Sequence, residues 1–396
     1  MLQLAAYFTL VSLGVALVLT PVAMWAGRRW RVLDTPGPRK VHTELIPLTG
    51  GWAILGTLTL VLWGHLGLAA SPLGITIRNL LPESARFLLP FHAGAITQLL
   101  TIYAGAVLIF FLGLIDDIRG MSVRSRLLVQ GILALILVIA GVRPMLAFLP
   151  VWVAGLIGIL WIVGVTNAFN FLDGLDGLSA GVSLIATAGL MAVMGVGQQP
   201  NMVLLLACLA GAQLGFLKYN FHPARVFLGS SGSLLLGYLM GVLTLQATFM
   251  THSPHQGNWL MPLLIPVFLL GIPLYDTTSV VLIRLFQKRS VAIGDQSHFH
   301  HRLMRLGFSH LQVVIFIWLI ATAIAFSAVR LSKSSLIESL LTLAQILTIS
   351  AILILAERAA YRSRQRALRQ SRELIDMKRG DAEAQDPETA DPVQEA

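Results

Sequence analysis

The chain has 396 residues, of which 56% are hydrophobic and only 12% charged. Soluble domains carry about 25% charged residues, so this composition excludes an ordinary soluble protein and specifies one embedded in a membrane. The formal net charge of +9 sits in loops between apolar runs, where it reports orientation and not nucleic-acid binding. The single cysteine, Cys208, lies in an apolar run and excludes a disulfide framework or a cysteine-based metal site.

Apolar runs long enough to cross a bilayer, roughly 17–25 residues each, fall at 4–26, 50–70, 97–115, 147–167, 177–196, 201–218, 232–248, 260–282, 311–329 and 336–356. A shorter run at 127–142 adds one more. The pattern predicts an all-α, polytopic transmembrane bundle of about eleven helices, or ten if 127–142 does not span. Residues 4–26 are too long for a signal-peptide core, and no basic residue precedes them, so no cleavable signal is expected. Residues 1–356 read as one transmembrane domain and 357–396 as a tail. The tail is basic and helix-prone over 357–380, and acidic and disordered over 381–396. Its basic part reads as a solvated extension or as a contact with anionic lipid headgroups.

Eleven helices place the termini on opposite sides. With the N-terminus outside, 23 of the 28 lysines and arginines fall on the inner side or at an inner helix end, a strong positive-inside bias. All seven aspartates before residue 357 fall there too. The positive-inside rule is silent on acids, so this is independent evidence that the chemistry occupies one membrane face, the cytoplasmic one.

Five polar stretches lie on that face. The first, Asp34 to Gly51, is rich in Pro and Gly and holds Arg39, Lys40 and His42; it suits a phosphate clamp or a plain positive-inside loop. In the second, Asp116 and Asp117 are adjacent and followed by Arg119, Arg124 and Arg126. Neighbouring carboxylates repel and are tolerated beside a cation, which is a metal, a basic side chain or both. The third stretch, Thr166 to Ala180, contains Asn167, Asn170, Asp173 and Asp176 between apolar helices. An aspartate at bilayer depth costs roughly 2.5–3.5 kcal/mol on insertion scales, so this stretch belongs at a membrane boundary or in a polar cavity. In the fourth, Asn220 to Gly237, Gly229-Ser-Ser-Gly-Ser233 opens an apolar helix, an arrangement that binds anions. The fifth places His298, His300, His301 and Arg302 in five residues, which suits a sugar diphosphate. Asp276 ends a run containing Pro262, Pro266 and Pro273, so that helix is expected to bend and line a cavity.

Taken together and in order, these stretches resemble the polyprenyl-phosphate N-acetylhexosamine-1-phosphate transferases, an integral-membrane family that also includes the phospho-MurNAc-pentapeptide translocases. The match runs from residue 34 to about 310. Its Arg-Lys-x-His and His-x-His-His-Arg elements resemble the GlcNAc-1-phosphate branch. The resemblance implies transfer of HexNAc-1-phosphate, by default GlcNAc-1-phosphate, from a UDP-sugar to polyprenyl phosphate, with release of UMP. This would be the first membrane step of a cell-envelope polysaccharide, in a bacterial inner membrane. It implies Mg²⁺, with Mn²⁺ as a substitute, and as partners UDP-N-acetylhexosamine, polyprenyl phosphate and membrane lipids; a homodimer is left open. By position, Asp116 would deprotonate or orient the lipid phosphate, with Asp117 supporting it and the metal. Asn170 and Asp173 would lie at the metal and diphosphate, and Asp176 would face the uracil. His298, His300, His301 and Arg302 would hold the sugar and diphosphate, and Arg126 would steer the lipid phosphate. Arg39, Lys40, His42 and Asn167 join the substrate-binding set. The chain departs from the family pattern at Ser230, where the family carries a metal-binding aspartate. That neutral residue keeps a second reading open, a catalytically silent homologue that binds lipid carrier or nucleotide. A transporter would show paired halves and a midplane site, and no repeat is visible here.

Overall fold

The computed structural model describes residues 1–35, 44–80, 93–144, 149–197, 199–246, 261–288 and 298–352, with 354, 355 and 359 beyond them. In chain order the helices are α1 (Leu2–Trp30), α2 (Gly50–Leu58), α3 (Gly64–Ala70), α4 (Pro72–Leu80), α5 (Ala93–Arg119), α6 (Val123–Ile139), α7 (Val151–Leu172), α8 (Leu178–Val196), α9 (Pro200–Asn220), α10 (Gly229–Gln246), α11 (Met261–Leu269), α12 (Gly271–Phe286), α13 (Phe299–Arg305) and α14 (His310–Leu331). A fifteenth, α15, covers Leu336–Ile352. One π-helical turn, Thr59–Trp63, joins α2 to α3. The protein is thus an all-α, multi-pass membrane bundle, and each of the eleven apolar runs has a helical counterpart.

Among the described residues seven helices are long and apolar enough to cross, and α11 with α12 makes an eighth if that bent pair is one span. The pair bends by 81°, with Pro266 inside α11 and Pro273 near the start of α12. This is the break the prolines predict. The helices α6 and α15 are shorter, and the Gly/Ser-rich first turn of α10 dilutes its apolar character.

The centre of the bundle is α10, buried along almost its whole length and packed on α5, α7, α2 and α8. Beside it α9 packs along α1 and α8. Its Gly211 lies so close to α1 that a Cβ there would strike the Thr9 carbonyl, the small-residue contact by which membrane helices approach. Three buried threonine hydroxyls are satisfied within their own helices: Thr20 donates to the Ala16 carbonyl, Thr57 to Ala53 and Thr166 to Ile162, at 2.7, 2.7 and 2.6 Å. Apolar surroundings offer such groups no water.

The C-terminal ends of α5, α7 and α9 and the first turns of α10 and α14 all line one cavity. Two short strands, β1 (Leu33–Asp34) and β2 (Ile46–Pro47), pair antiparallel with Leu33 opposite Pro47. They bring Asp34 and Glu44 to the cavity wall. Arg39, Lys40, His42, Asp295 and the tail motifs beyond 359 lie outside the described residues.

Candidate active site

The two adjacent aspartates on α5 face different partners. Asp116 accepts a hydrogen bond from Arg126 Nη1 at 3.1 Å and one from the Met121 backbone N–H at 2.8 Å, so it closes the turn from α5 to α6. The Ser122 side chain caps α6 by accepting from Ser125 N–H. Asp117 instead accepts from the backbone N–H groups of Ser230 at 2.6 Å and Ser231 at 3.0 Å. A carboxylate placed on the free N–H groups that open a helix is favourable twice, by hydrogen bonding and by the helix dipole. The approach is close because Gly113 and Gly229 carry no Cβ: one at Gly113 would overlap the Ser230–Ser231 backbone, and one at Gly229 would meet the Asp117 carboxylate.

The turn from α7 to α8 supplies the next groups. Asn170 Nδ2 donates to Ser233 Oγ at 2.9 Å, which leaves its carbonyl oxygen as the acceptor end. Asp173 sits at the C-terminal end of α7. Burial, helped by the Asp117 and Asp176 carboxylates, pushes its carboxyl up to about 8. Asp176 Oδ2 pairs with His222 Nδ1 at 2.8 Å and accepts from Ala224 N–H at 3.1 Å, while its own N–H donates to His310 Nε2 at 3.0 Å. The imidazoles of His222 and His310 stack 4.5 Å apart.

The histidine-rich stretch forms α13 and the residue before it. His298 Nδ1 pairs with Asp276 Oδ2 at 2.8 Å, and Asp276 also accepts from Phe299 N–H. Arg302 donates to Ser279 Oγ at 3.1 Å and lies over the Tyr275 and Phe299 rings. His300 is 1% exposed, and neither ring nitrogen has a partner among the described residues. Burial, with His301 beside it, pushes it down to about 3, so the ring is neutral. A Cβ on Gly174 would meet its Nε2.

The cavity has a volume of about 940 Å³. Of the residues singled out from sequence, Asp116, Asp117, Asn170, Asp173, Asp176, Ser230 and His301 line it. The others described do not. Arg126 is held behind Asp116, and Asn167 turns to Gln130 on α6, donating to its Oε1. His298, His300 and Arg302 pack around Asp276 and Gly174. Sequence reasoning passed over His222, Arg225 and His310 on the wall. The first two lie inside the fourth polar stretch; His310 stands alone at a helix start and carries no sequence signal.

Known proteins resemble this chain over most of its length. Residues 99–248 match the model of glycosyl transferase family 4. The chain is 33% identical to a probable undecaprenyl-phosphate N-acetylglucosaminyl 1-phosphate transferase of Bacillus subtilis, over 84% of this chain and 86% of the relative. It is 31% identical to a decaprenyl-phosphate N-acetylglucosaminephosphotransferase of Mycolicibacterium smegmatis, over 76% of this chain and 75% of that one. It is 36% identical to a phospho-N-acetylmuramoyl-pentapeptide-transferase of Moorella thermoacetica, over 39% and 45%. The chain therefore belongs to glycosyl transferase family 4, the membrane-embedded family of polyprenyl-phosphate N-acetylhexosamine-1-phosphate transferases.

Proposed function

We propose that the cavity is the active site of a UDP-GlcNAc:polyprenyl-phosphate GlcNAc-1-phosphate transferase facing the cytoplasm from a bacterial inner membrane. One observation carries this reading. Carboxylates and a carboxamide from α5 and from the α7–α8 turn converge on one cavity with the first turn of α10, in a chain alignable with named transferases over most of its length. The silent-homologue reading is not favoured by those relatives.

An oxygen of the lipid phosphate bonds to the sugar-linked phosphorus; the bond from that phosphorus to the bridging oxygen breaks, and UMP leaves with the electron pair. Such transfers need positioning and charge stabilisation more than covalent help from the protein. A phosphate monoester has its second pKa near 6, so the nucleophile is already largely dianionic at pH 7. Asp116, with both oxygens engaged, serves to hold Arg126. The Arg126 Nε and Gln130 Nε2 groups are buried donors with no partner among the described residues, and they suit an oxygen of the lipid phosphate.

The donor set fits a divalent cation. Burial, and then the neighbouring Asp117 and Asp176 carboxylates, holds the Asp173 proton to about 8, and a cation among these carboxylates relieves their mutual repulsion. Asp117, Asp173 and Asn170 would hold Mg²⁺, which takes one or two carboxylates plus substrate oxygens, and the ion would neutralise the diphosphate. Asp176 would face the uracil and His301 the sugar side.

The test uses purified full-length protein in nanodiscs with undecaprenyl phosphate, Mg²⁺ and a panel of UDP-sugars. Equal amounts of UMP and polyprenyl-diphosphate-GlcNAc are expected; no lipid-linked product from any UDP-sugar overturns the proposal. Orientation is tested by single cysteines placed within 28–35 and 298–305. Labelling from the cytoplasmic side alone is expected at both, and labelling from opposite sides overturns the one-face site.

A further inference from the structure

Asp34, Glu44, Asp116, Asp117, Asp173 and Asp176 all line the cavity, yet among the described residues Arg225 is the one lysine or arginine on its wall. A nucleotide diphosphate entering this space needs cations, and Arg126 and Arg302 are held outside it by Asp116 and by Tyr275 with Ser279. The Arg225 side chain is exposed and makes no ion pair or hydrogen bond among the described residues.

Its backbone, by contrast, is fixed. Arg225 N–H donates to the Tyr219 carbonyl at 2.8 Å, and Asn220 Nδ2 donates to the Val226 carbonyl at 2.8 Å. Phe227 N–H bonds the Pro47 carbonyl at 2.9 Å. Two residues earlier in the loop are tied to Asp176, through His222 and the Ala224 N–H. The fixed backbone holds the Arg225 Cα at the cavity wall, and its guanidinium is free to meet an anion there. The planar fork of arginine matches phosphate oxygens two at a time.

We propose that Arg225 is the binding residue for the nucleotide's own phosphate, the group that leaves as UMP. This rests on the reaction proposed above. The lipid phosphate is assigned elsewhere, to the Arg126 and Gln130 donors behind Asp116, whereas the Arg225 loop is bonded to the Asp176 wall where the uracil is placed. A guanidinium there stabilises the charge that grows on UMP as the bridging bond breaks.

The experiment measures UMP and uridine affinity by calorimetry on the full chain in nanodiscs, for wild type, Arg225→Gln and Arg225→Lys, with KM for both substrates. A charge-assisted hydrogen-bond contact corresponds to roughly 10- to 100-fold in affinity. Arg225→Gln is expected to weaken UMP binding by that factor, leave uridine binding unchanged, raise KM for UDP-GlcNAc in proportion and leave KM for polyprenyl phosphate alone. Arg225→Lys should recover part of the loss. Equal UMP affinity in wild type and Arg225→Gln overturns the inference alone and leaves Arg225 a solvated charge. So does parallel loss of uridine binding, which would mark a purely structural role, or a KM shift confined to polyprenyl phosphate. Wild-type protein that binds neither UMP nor UDP-GlcNAc overturns the proposed reaction and this inference with it.

Discussion

Among the described residues, two helices begin against an aspartate supplied by another helix. At α10, Asp117 accepts from the Ser230 and Ser231 N–H groups. At α13, Asp276 accepts from Phe299 N–H and pairs with His298. The device is the same, a carboxylate on the unsatisfied donors of a first turn, but the surroundings are not. Asp117 lies on the cavity wall, whereas Asp276 is 0% exposed and lines no part of it. Capping alone therefore does not distinguish a chemical acid from an architectural one. The distinction lies in whether the capped end opens onto space where a substrate fits.

The largest effects separate the two ends. Asp117→Asn loses the charge and keeps one acceptor oxygen for the two N–H groups of Ser230 and Ser231. Turnover should fall on the order of 100-fold or more, the scale of one preorganised charge contact, and the thermal midpoint should fall by less than in the Asp276 variant. Asp276→Asn leaves His298 facing a neutral group inside the protein. Losing a hydrogen bond to a charged group costs about 1.5–3 kcal/mol, so the midpoint should drop while turnover per folded molecule persists. Thermal unfolding and turnover in the same detergent check both variants. An Asp276→Asn protein that is stable but inactive would move the α13 wall into the chemistry.

A smaller effect probes how tightly α10 is held. The backbone of Gly51 on α2 touches that of Gly232, so a Cβ would overlap it. Gly51→Ala should cost about 1–3 kcal/mol, as overpacking does, and should reduce activity because the displaced turn carries Ser230. Gly131 on α6 has nothing within 4 Å of a built Cβ, and Gly131→Ala should leave stability within about 1 kcal/mol. Equal losses in the two would mean that the α2–α10 contact does not position the cavity wall.

The α13 wall also carries a pH signature. His300 is held down to about 3 by burial and then by His301, against about 6.5 for an unfolded histidine. The unfolded chain binds the extra proton between those values. The contribution of His300 is therefore fully present above pH 6.5 and is lost as pH falls towards 3. At pH 5 the loss should be on the order of 2 kcal/mol. Comparing unfolding of wild type and His300→Asn at pH 7 and pH 5 isolates it from the aspartates, which titrate in both. An identical pH slope in the two proteins would mean that His300 is not kept neutral in the fold.

Much of the site was legible because its chemistry is local in sequence. A polar stretch inside a chain this apolar must find a boundary or cavity, and Asn170, Asp173 and Asp176 do line one. The prolines announced the break between α11 and α12, which bends by 81°. What escaped was the choice of partner. Asn167 and Asn170 lie three residues apart on α7, yet one reaches Gln130 on α6 and the other Ser233 on α10; only the packing of three helices decides that. His298, His300 and Arg302 read as a substrate cluster, but a short helix turns them towards Asp276, Gly174 and Ser279, leaving His301 on the wall. An apolar run marks a helix, whereas crossing depends on where that helix starts and bends.

The smallest expected effect concerns Ser230, the position where the family pattern has an aspartate. Its backbone N–H is already taken by Asp117, and the residue lines the cavity. A carboxylate placed there would stand beside Asp117 and face the same space as Asp173. One added charge at contact distance is worth roughly 1 kcal/mol even in water, about fivefold in affinity. Ser230→Asp should therefore lower the Mg²⁺ concentration for half-maximal rate by about that factor. Direct titration of Mn²⁺ by electron paramagnetic resonance should show the same gain without any turnover. In EDTA the variant should be less stable than wild type, because another carboxylate then joins an already repelling group. Metal and stability thus move in opposite directions, which a general loosening of the α10 turn would not produce. Unchanged Mg²⁺ and Mn²⁺ dependence would place the cation away from Ser230 and leave Asp117 as a cap without a metal beside it.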